Sequence, residues 1–585
     1  MSKSKYVLVG SLLIVPLVFT PGLIDMALMG RYMGLAACLF ALVLITPFQI
    51  EIPTSRKAKG VVMIYALFVL LNFCSMAWSI NPEEAFFESS KLLLGFLVFV
   101  FIWQLQSDEL MTWLLHVVLL VSVIYLIIVG YQLINLNDLS GESIDTITGI
   151  NGHKNQLSNF LLLLLTFLAI GGVQRGYKFR LVSIFLSILV LGVILMLGTR
   201  STLVAIVVSL FSVGILKACL SRFKWVRMGA IMTVVGVGIA VSLLLKSDLQ
   251  FFDTLRASVE ASAEGRIGLW QNSYEMAVEH PVLGVGAGNW KTHFPDYGLS
   301  QFLYQPTQYG FQNAQRPHND YLWIWTETGT MGLLLFLTML LLLFGQSIVH
   351  LKKHARNEHL VLLGGLVAFL TFSFFTFPKE RIEHILLFNV LLGLLLAQAS
   401  SQSDRPVNLA KMKPLVLTGL LLVLIVGFQR VSGEYHMAKA IEARQAEDYL
   451  RVKTYTEKAF SWVFQIDNYG MPVKWYQGVA DVSLGNMDAA MKAFREAYEV
   501  APYNLNVLNN LASSHEMAGN HEQAKNLYQE AIRISPHFDE AKLNLAAILF
   551  NEGKLEAALS WVNEVTYDSD RKQQYLRVIK ERLGQ

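Results

Sequence analysis

Charge is scarce in this sequence. Only 16% of its 585 residues are Asp, Glu, Lys or Arg, where about 25% is usual for a soluble domain, and the net charge of +3 names no partner. The scarcity excludes a disordered chain and an ordinary cytosolic enzyme, and the missing basic excess excludes a nucleic-acid binder. Cysteine is nearly absent: Cys38, Cys74 and Cys219 lie in two apolar runs and one basic loop, so neither a disulfide framework nor a Cys-based metal site is expected. The sequence has no H-E-x-x-H signature and its external loops have no D-x-D cradle, so no metal or other cofactor is expected.

What is present is apolar, at 54% of the residues, and unevenly spread. The first 430 residues hold 30 Lys/Arg and 23 Asp/Glu, the last 155 hold 17 and 21. A membrane domain, 1–430, is therefore followed by a soluble one, 431–585. Thirteen apolar runs from 6–20 to 414–429, among them 228–246, predict about 12–13 helices able to cross about 30 Å of hydrocarbon at 1.5 Å per residue. The first run follows Lys3 and Lys5 like a signal peptide, but it lacks a small-residue cleavage site and ends at Pro16 and Pro21, so it reads as a retained helix.

Lys and Arg in alternate connections, such as Arg56, Lys57 and Lys59 or Lys352, Lys353 and Arg356, mark the cytoplasmic side. The connection near Ser107–Glu109 carries no positive charge and is the weakest link of that assignment. An odd helix count then puts the N-terminus inside, and the long loop 247–330 and the C-terminal domain outside.

From Asn468 the sequence repeats every 34 residues: Gly485, Gly519 and Gly553; Ala490, Ala524 and Ala558; Pro502 and Pro536. Small residues at fixed points let paired helices approach, and Gly ends the first helix of each pair. The pattern resembles the tetratricopeptide repeat. Three repeats cover 468 to about 569, a degenerate helical pair at about 434–467 joins them to the last membrane helix, and Arg571–Leu583 reads as a cap. Such a surface is expected to bind a peptide or partner protein, the alternative being a structural cap over the membrane domain.

The most informative stretch is Arg316-Pro-His318-Asn319-Asp320 running into a membrane helix, which reads H-N-x9-G-x-x-G through Gly329 and Gly332. The two glycines, one turn apart, offer a smooth face to a neighbouring helix or a lipid chain. His318 lies where it is hydrated yet reaches a headgroup, and Glu327, deeper, is a functional candidate by its position. Gly284, Gly286 and Gly288 lack the strand-turn-helix context of a nucleotide loop. Asn289, Trp290, His293, Phe294, Tyr304, Tyr309 and Phe311, with Trp323 and Trp325, read as a sugar-contacting or interfacial segment, most of them as an aromatic belt.

With these motifs the sequence resembles the bacterial O-antigen ligase family, whose membrane fold is shared by O-antigen polymerases and protein O-oligosaccharyltransferases. Gly198-Thr-Arg200-Ser201, Arg266-Ile-Gly-Leu-Trp270, Pro281 to Gly288 and Gly152-His153-Lys154-Asn155 look like further family elements, covering roughly residues 60–400. The resemblance implies an all-α, GT-C-like polytopic bundle in a bacterial inner membrane, with a periplasmic tetratricopeptide α-solenoid behind it. It implies a polyprenyl-diphosphate-linked glycan as donor and a lipid A core, a glycan or a protein as acceptor.

A leaving diphosphate needs cations, and guanidinium pairs with phosphate bidentately at any relevant pH. Arg200 and Arg266 are the first candidates, with Arg316 and Arg381 behind them. His318, with a reference pKa near 6.5, fits a general base for the acceptor hydroxyl, or an imidazolium on the diphosphate. Asn155, Asn319, Asp320 and Glu327 would orient it or contact sugars. A transporter is the competing class, but transporters place ionisable groups at mid-membrane between repeated halves, and here the polar groups gather at external helix ends.

Overall fold

The computed structural model describes residues 3–584 apart from 47–48, 52–55, 137, 139, 175, most of 222–265, 298–313, 355, 401–405 and 409. The fold is all-α, apart from a short antiparallel pair, Gln49–Glu51 with Pro406–Asn408. Among the described residues nine helices are long and apolar enough to span a membrane, from Arg56–Ala77 to Ala410–Gln445. Three shorter helices, Lys3–Leu17, Met29–Ile45 and Asn357–Ser373, coincide with further apolar runs. The predicted run 228–246 lies almost wholly outside the described residues.

Side-chain contacts sort the helix ends into two groups. At one end Lys5 Nζ donates to Ser107 Oγ at 2.7 Å and lies 3.7 Å from Glu109, while Lys413 Nζ donates to the carbonyls of Leu44 and Thr46. The uncharged connection at Ser107–Glu109 thus receives its cation from the N-terminus. Ser107 also caps the helix Asp108–Ile134, its hydroxyl accepting from Leu110 N. At the opposite end Arg31 and Glu383, both fully buried, pair at 2.7 Å, and Asn151 Nδ2 donates to the same carboxylate. Inside an apolar bundle such groups persist only when paired.

The helix Lys413–Gln445 has 33 residues, about 50 Å, and carries the chain out of the bundle without a break. Residue 431, the boundary expected from composition, falls inside it. Arg430 on this helix reaches Glu84 Oε1 at 2.7 Å, and Lys291 reaches Glu84 Oε2 at 3.0 Å. Beyond it the helix pairs Val473–Ser483/Met487–Val500, Leu505–Met517/His521–Ile534 and Asp539–Asn551/Leu555–Asn563 stack, followed by Asp570–Leu583. Gly485, Gly519 and Gly553 hold φ of 79°, 77° and 76° at the turns, the left-handed conformation expected of them.

The repeats lie against the end of the bundle that carries the Arg31–Glu383 pair. Asn81 Nδ2 donates to Val500 O at 3.0 Å, and Arg533 pairs with Asp296. Trp290, Phe294, Trp323 and Phe377 share one apolar cluster with Leu505, Leu508 and Phe538. This corrects the belt expectation for Trp290, Phe294 and Trp323, which are 0%, 1% and 5% exposed. A protein module covers them, so their rings face side chains instead of the bilayer interface. Tyr304, Tyr309 and Phe311 lie outside the described residues.

Candidate active site

The site is organised by a break in the helix Asp320–His354. Gly329, at φ 63° and ψ −173°, is not helical. The freed backbone groups are met by the segment 281–286: Thr330 N donates to Pro281 O, Met331 N to Val282 O, Val285 N to Thr326 O and Gly286 N to Glu327 O. The expected smooth helical face is therefore corrected at Gly329, where backbone meets backbone. A Cβ there would collide with the Val282 carbonyl, and one at Gly284 with Thr326 O and Glu327. Gly332 is crowded first by the Thr328 side chain of its own helix, with Leu71 of a neighbouring helix in ordinary contact. Gly329→Ala is expected to lower the unfolding midpoint in detergent by several degrees, on the order of 2 kcal/mol, because collision and forced positive φ act together; Gly345→Ala, with open space around it, should leave the midpoint unchanged.

Immediately before this helix stand Arg316, Pro317 and His318. Trp270 Nε1 donates to Pro317 O at 2.9 Å, and the ring of His318 meets Phe377 edge-on with centroids 5.0 Å apart. His318 has φ 55°, a left-handed conformation a non-glycine residue holds only when its surroundings impose it. Burial, then the charges of Arg266 and Arg316, push its pKa down to about 4. The imidazole is therefore neutral through the physiological range.

The charged candidates divide by their partners. Arg316 forms a two-pronged pair with Glu380, Nη2 to Oε1 at 2.8 Å, and lies over the Phe377 ring. Against the upward pull of burial, Arg316 holds Glu380 well below the usual carboxylate range. Arg381 Nη1 pairs with Asp25 Oδ2 at 2.8 Å. Arg266 has no carboxylate partner among the described residues; burial and the nearby charge of Arg200 lower its pKa. Arg200 opens the helix Arg200–Leu220, directly after Gly198 (φ 61°) caps the helix before it. Burial and the charges of Lys154 and Arg381 likewise keep the His153 imidazole down.

The remaining candidates have structural contacts. Asn319 Oδ1 accepts from Tyr321 N and Leu322 N, capping the broken helix. Asp320 Oδ2 accepts from Lys379 N, and Glu327 accepts from Lys379 Nζ at 2.8 Å and Trp323 Nε1 at 2.7 Å. Asn155 Oδ1 accepts from Thr199 Oγ1 at 3.5 Å, tying two of the short motifs together. Lys379, Glu380, Asp25 and Glu84, which pair with the charged residues here, were not picked out by the sequence. Lys379 and Glu380 carried a signal, as part of the dense charge of the turn 378–383; Asp25 and Glu84 carried none.

Two adjoining cavities are lined by some of these residues, though not by His318, Arg200 or Arg266. One, about 870 Å³ with its open mouth, runs between Tyr65, Phe68, Phe336, Phe369 and Phe388 and is headed by Asp320, Glu327 and Lys379. The other, about 560 Å³, is lined by charged groups including Glu84, Lys91, Lys291, Arg316 and Arg430, with Asn468. Glu88 and Glu327 line both.

Residues 185–337 match the family model described as O-antigen ligase. Over that segment the chain resembles O-antigen ligases. The match contains Arg200, Arg266, Arg316 and His318, with the Gly329–Gly332 pair, while Asn155 and Arg381 lie outside it. Residues 473–536 and 515–579 match tetratricopeptide repeat models. Both resemblances read from the sequence are thus found, and they support a multi-pass membrane protein with a ligase-type role in glycan transfer, glycan or lipid substrates and a repeat module suited to protein contacts. No curated protein matches. A solved structure, the crystal structure of APC/C hetero-tetramer Cut9-Hcn1, aligns over 87% of this chain and 98% of its own at 11% identity and a TM-score of 0.25, a likeness too low to carry an argument.

Proposed function

We propose that this chain is an inverting membrane glycosyltransferase, moving a glycan from a polyprenyl diphosphate to an acceptor hydroxyl at the periplasmic face of a bacterial inner membrane. The division into a catalytic part, 1–430, and a repeat part, 431–585, belongs to this reading. The observation that carries it is a half-buried His318, kept neutral beside the cations Arg266 and Arg316, at the end of a bundle that also holds an apolar cavity. The acceptor oxygen attacks the anomeric carbon as its proton passes to His318. The bond from that carbon to the diphosphate oxygen breaks, and its electron pair leaves with the diphosphate, which Arg266 and Arg200 meet. Arg316 and Arg381 are held by carboxylates and act mainly by shaping the site. The apolar cavity, headed by Asp320, Glu327 and Lys379, offers the lipid chain a place.

The repeat module, packed against the same end, favours a protein hydroxyl as the second reading of the acceptor. Glycan analysis of a strain lacking the gene tests both. Uncapped lipid A core with free lipid-linked polymer is the result expected for a ligase. Single-unit caps would indicate a polymerase, and bare proteins with normal lipopolysaccharide a protein transferase. Unchanged glycoconjugates in that strain would overturn the proposal.

A further inference from the structure

Exposed aromatic side chains at the start of the repeat module lie level with the end of the last membrane helix. Counting about 30 Å of hydrocarbon from Lys413 at 1.5 Å per residue reaches about Gly433. At that level Arg430 Nη1 donates to Val463 O at 3.0 Å, and Phe464 packs against Gly433 so closely that a Cβ would not fit. The turn Ser461–Phe464 is thereby fixed beside the helix where it leaves the apolar layer. Trp462, at the tip of that turn, is 57% exposed, with Phe460 and Tyr469 exposed on either side of it in sequence.

The outward face of the helix leads to the same level. Leu421, Ile425, Phe428 and Tyr435 are exposed at spacings of four, three and seven, one continuous stripe. The stripe passes from aliphatic to aromatic, and Lys439 lies over the Tyr435 ring. Lys474 sits 4.5 Å over Phe460, and Lys458 over Tyr455. Apolar surface, then aromatic rings, then ammonium groups is the order a membrane–water interface selects. At the same end of the bundle Phe19, Tyr131 and Phe374 are exposed too.

We propose that this first turn of the repeat module, with Trp462 at its tip and Tyr435, Phe460, Lys458 and Lys474 around it, is a foot that rests in the headgroup–acyl boundary of the bilayer. The partner is the lipid surface itself. The foot fixes the height of the repeat module above the membrane, independently of what the site transfers.

The test uses the full chain reconstituted in vesicles of phosphatidylcholine and phosphatidylglycerol brominated high on the acyl chains. Bromine quenches only tryptophans that reach the acyl region. The emission lost on Trp462→Phe substitution is expected to be strongly quenched in brominated relative to unbrominated vesicles. The emission lost on Trp561→Phe, in the last repeat, is expected to be unquenched. If the Trp462 difference is equal in both lipids, the foot does not touch the bilayer and the proposal is overturned, as it is if a soluble partner protein shields Trp462 in place of lipid. Trp462→Tyr gives the same readout should the Phe variant reconstitute poorly.

Discussion

Replacing His318 with Gln is expected to lower glycan transfer by about 100- to 10,000-fold, the range for removing a general base, with the unfolding midpoint held within a few degrees. The pH dependence separates the two chemistries available to an imidazole. Burial and the surrounding cations push the His318 pKa to about 4, so the neutral form, the one able to take a proton, is already dominant above about pH 5. A base therefore gives a rate that rises as pH climbs through about 4 and is flat across neutrality, not one that rises near the ordinary histidine value of about 6.5. An imidazolium that binds diphosphate gives the opposite sign, activity present at low pH and lost as pH rises. Measuring kcat/KM against pH in proteoliposomes, for the wild type and His318→Gln, distinguishes them. A variant that keeps wild-type rate ends the catalytic assignment.

Arg266→Ala is expected to lower transfer by about 100- to 1000-fold, the scale for removing one preorganised donor from developing negative charge. Arg266→Lys should recover little of it, because the ammonium cannot form the paired hydrogen bonds of guanidinium. Arg381→Ala is the contrasting case. Its guanidinium, itself buried, is held by the half-buried Asp25, so the loss should appear first as a lower unfolding midpoint from a carboxylate left without its partner, with the KM for the lipid-linked donor little changed. Steady-state kinetics on the three variants, each with its melting curve, checks both expectations; equal effects of Arg266→Ala and Arg381→Ala on donor KM would contradict the division of roles.

Much of this was legible in the sequence for local reasons. Each repeat carries its own turn glycine and small helix-contact residues, so the 34-residue period announces helix pairs before any tertiary contact is known. Apolar runs announce membrane helices in the same way, and Gly198 before Arg200 reads as one helix ending and the next beginning. What stayed hidden depends on chain segments meeting from afar. Gly329 looks like a smooth helical position until the segment 281–286 is seen to dock against it. Trp290 and Trp323 look like belt residues because no local pattern says that a module some 200 residues later covers them. Arg316 and Arg381 look as available as Arg266; Glu380 and Asp25 neutralise them only in the folded chain. The connection Ser107–Glu109 has no cation of its own, and Lys5, in the first turn of Lys3–Leu17, supplies one.

A lipid diphosphate is expected to lie between His318 and the arginines at the repeat-facing end of the bundle. A polyprenyl diphosphate analogue with a photoreactive group beside the phosphates, irradiated with the full-length protein in vesicles and mapped by mass spectrometry, measures this directly. Label is expected on peptides containing Arg200, Arg266 and His318, reduced in Arg266→Ala. Label confined to the opposite end, on peptides around Lys5, Ser107 or Lys413, would contradict it.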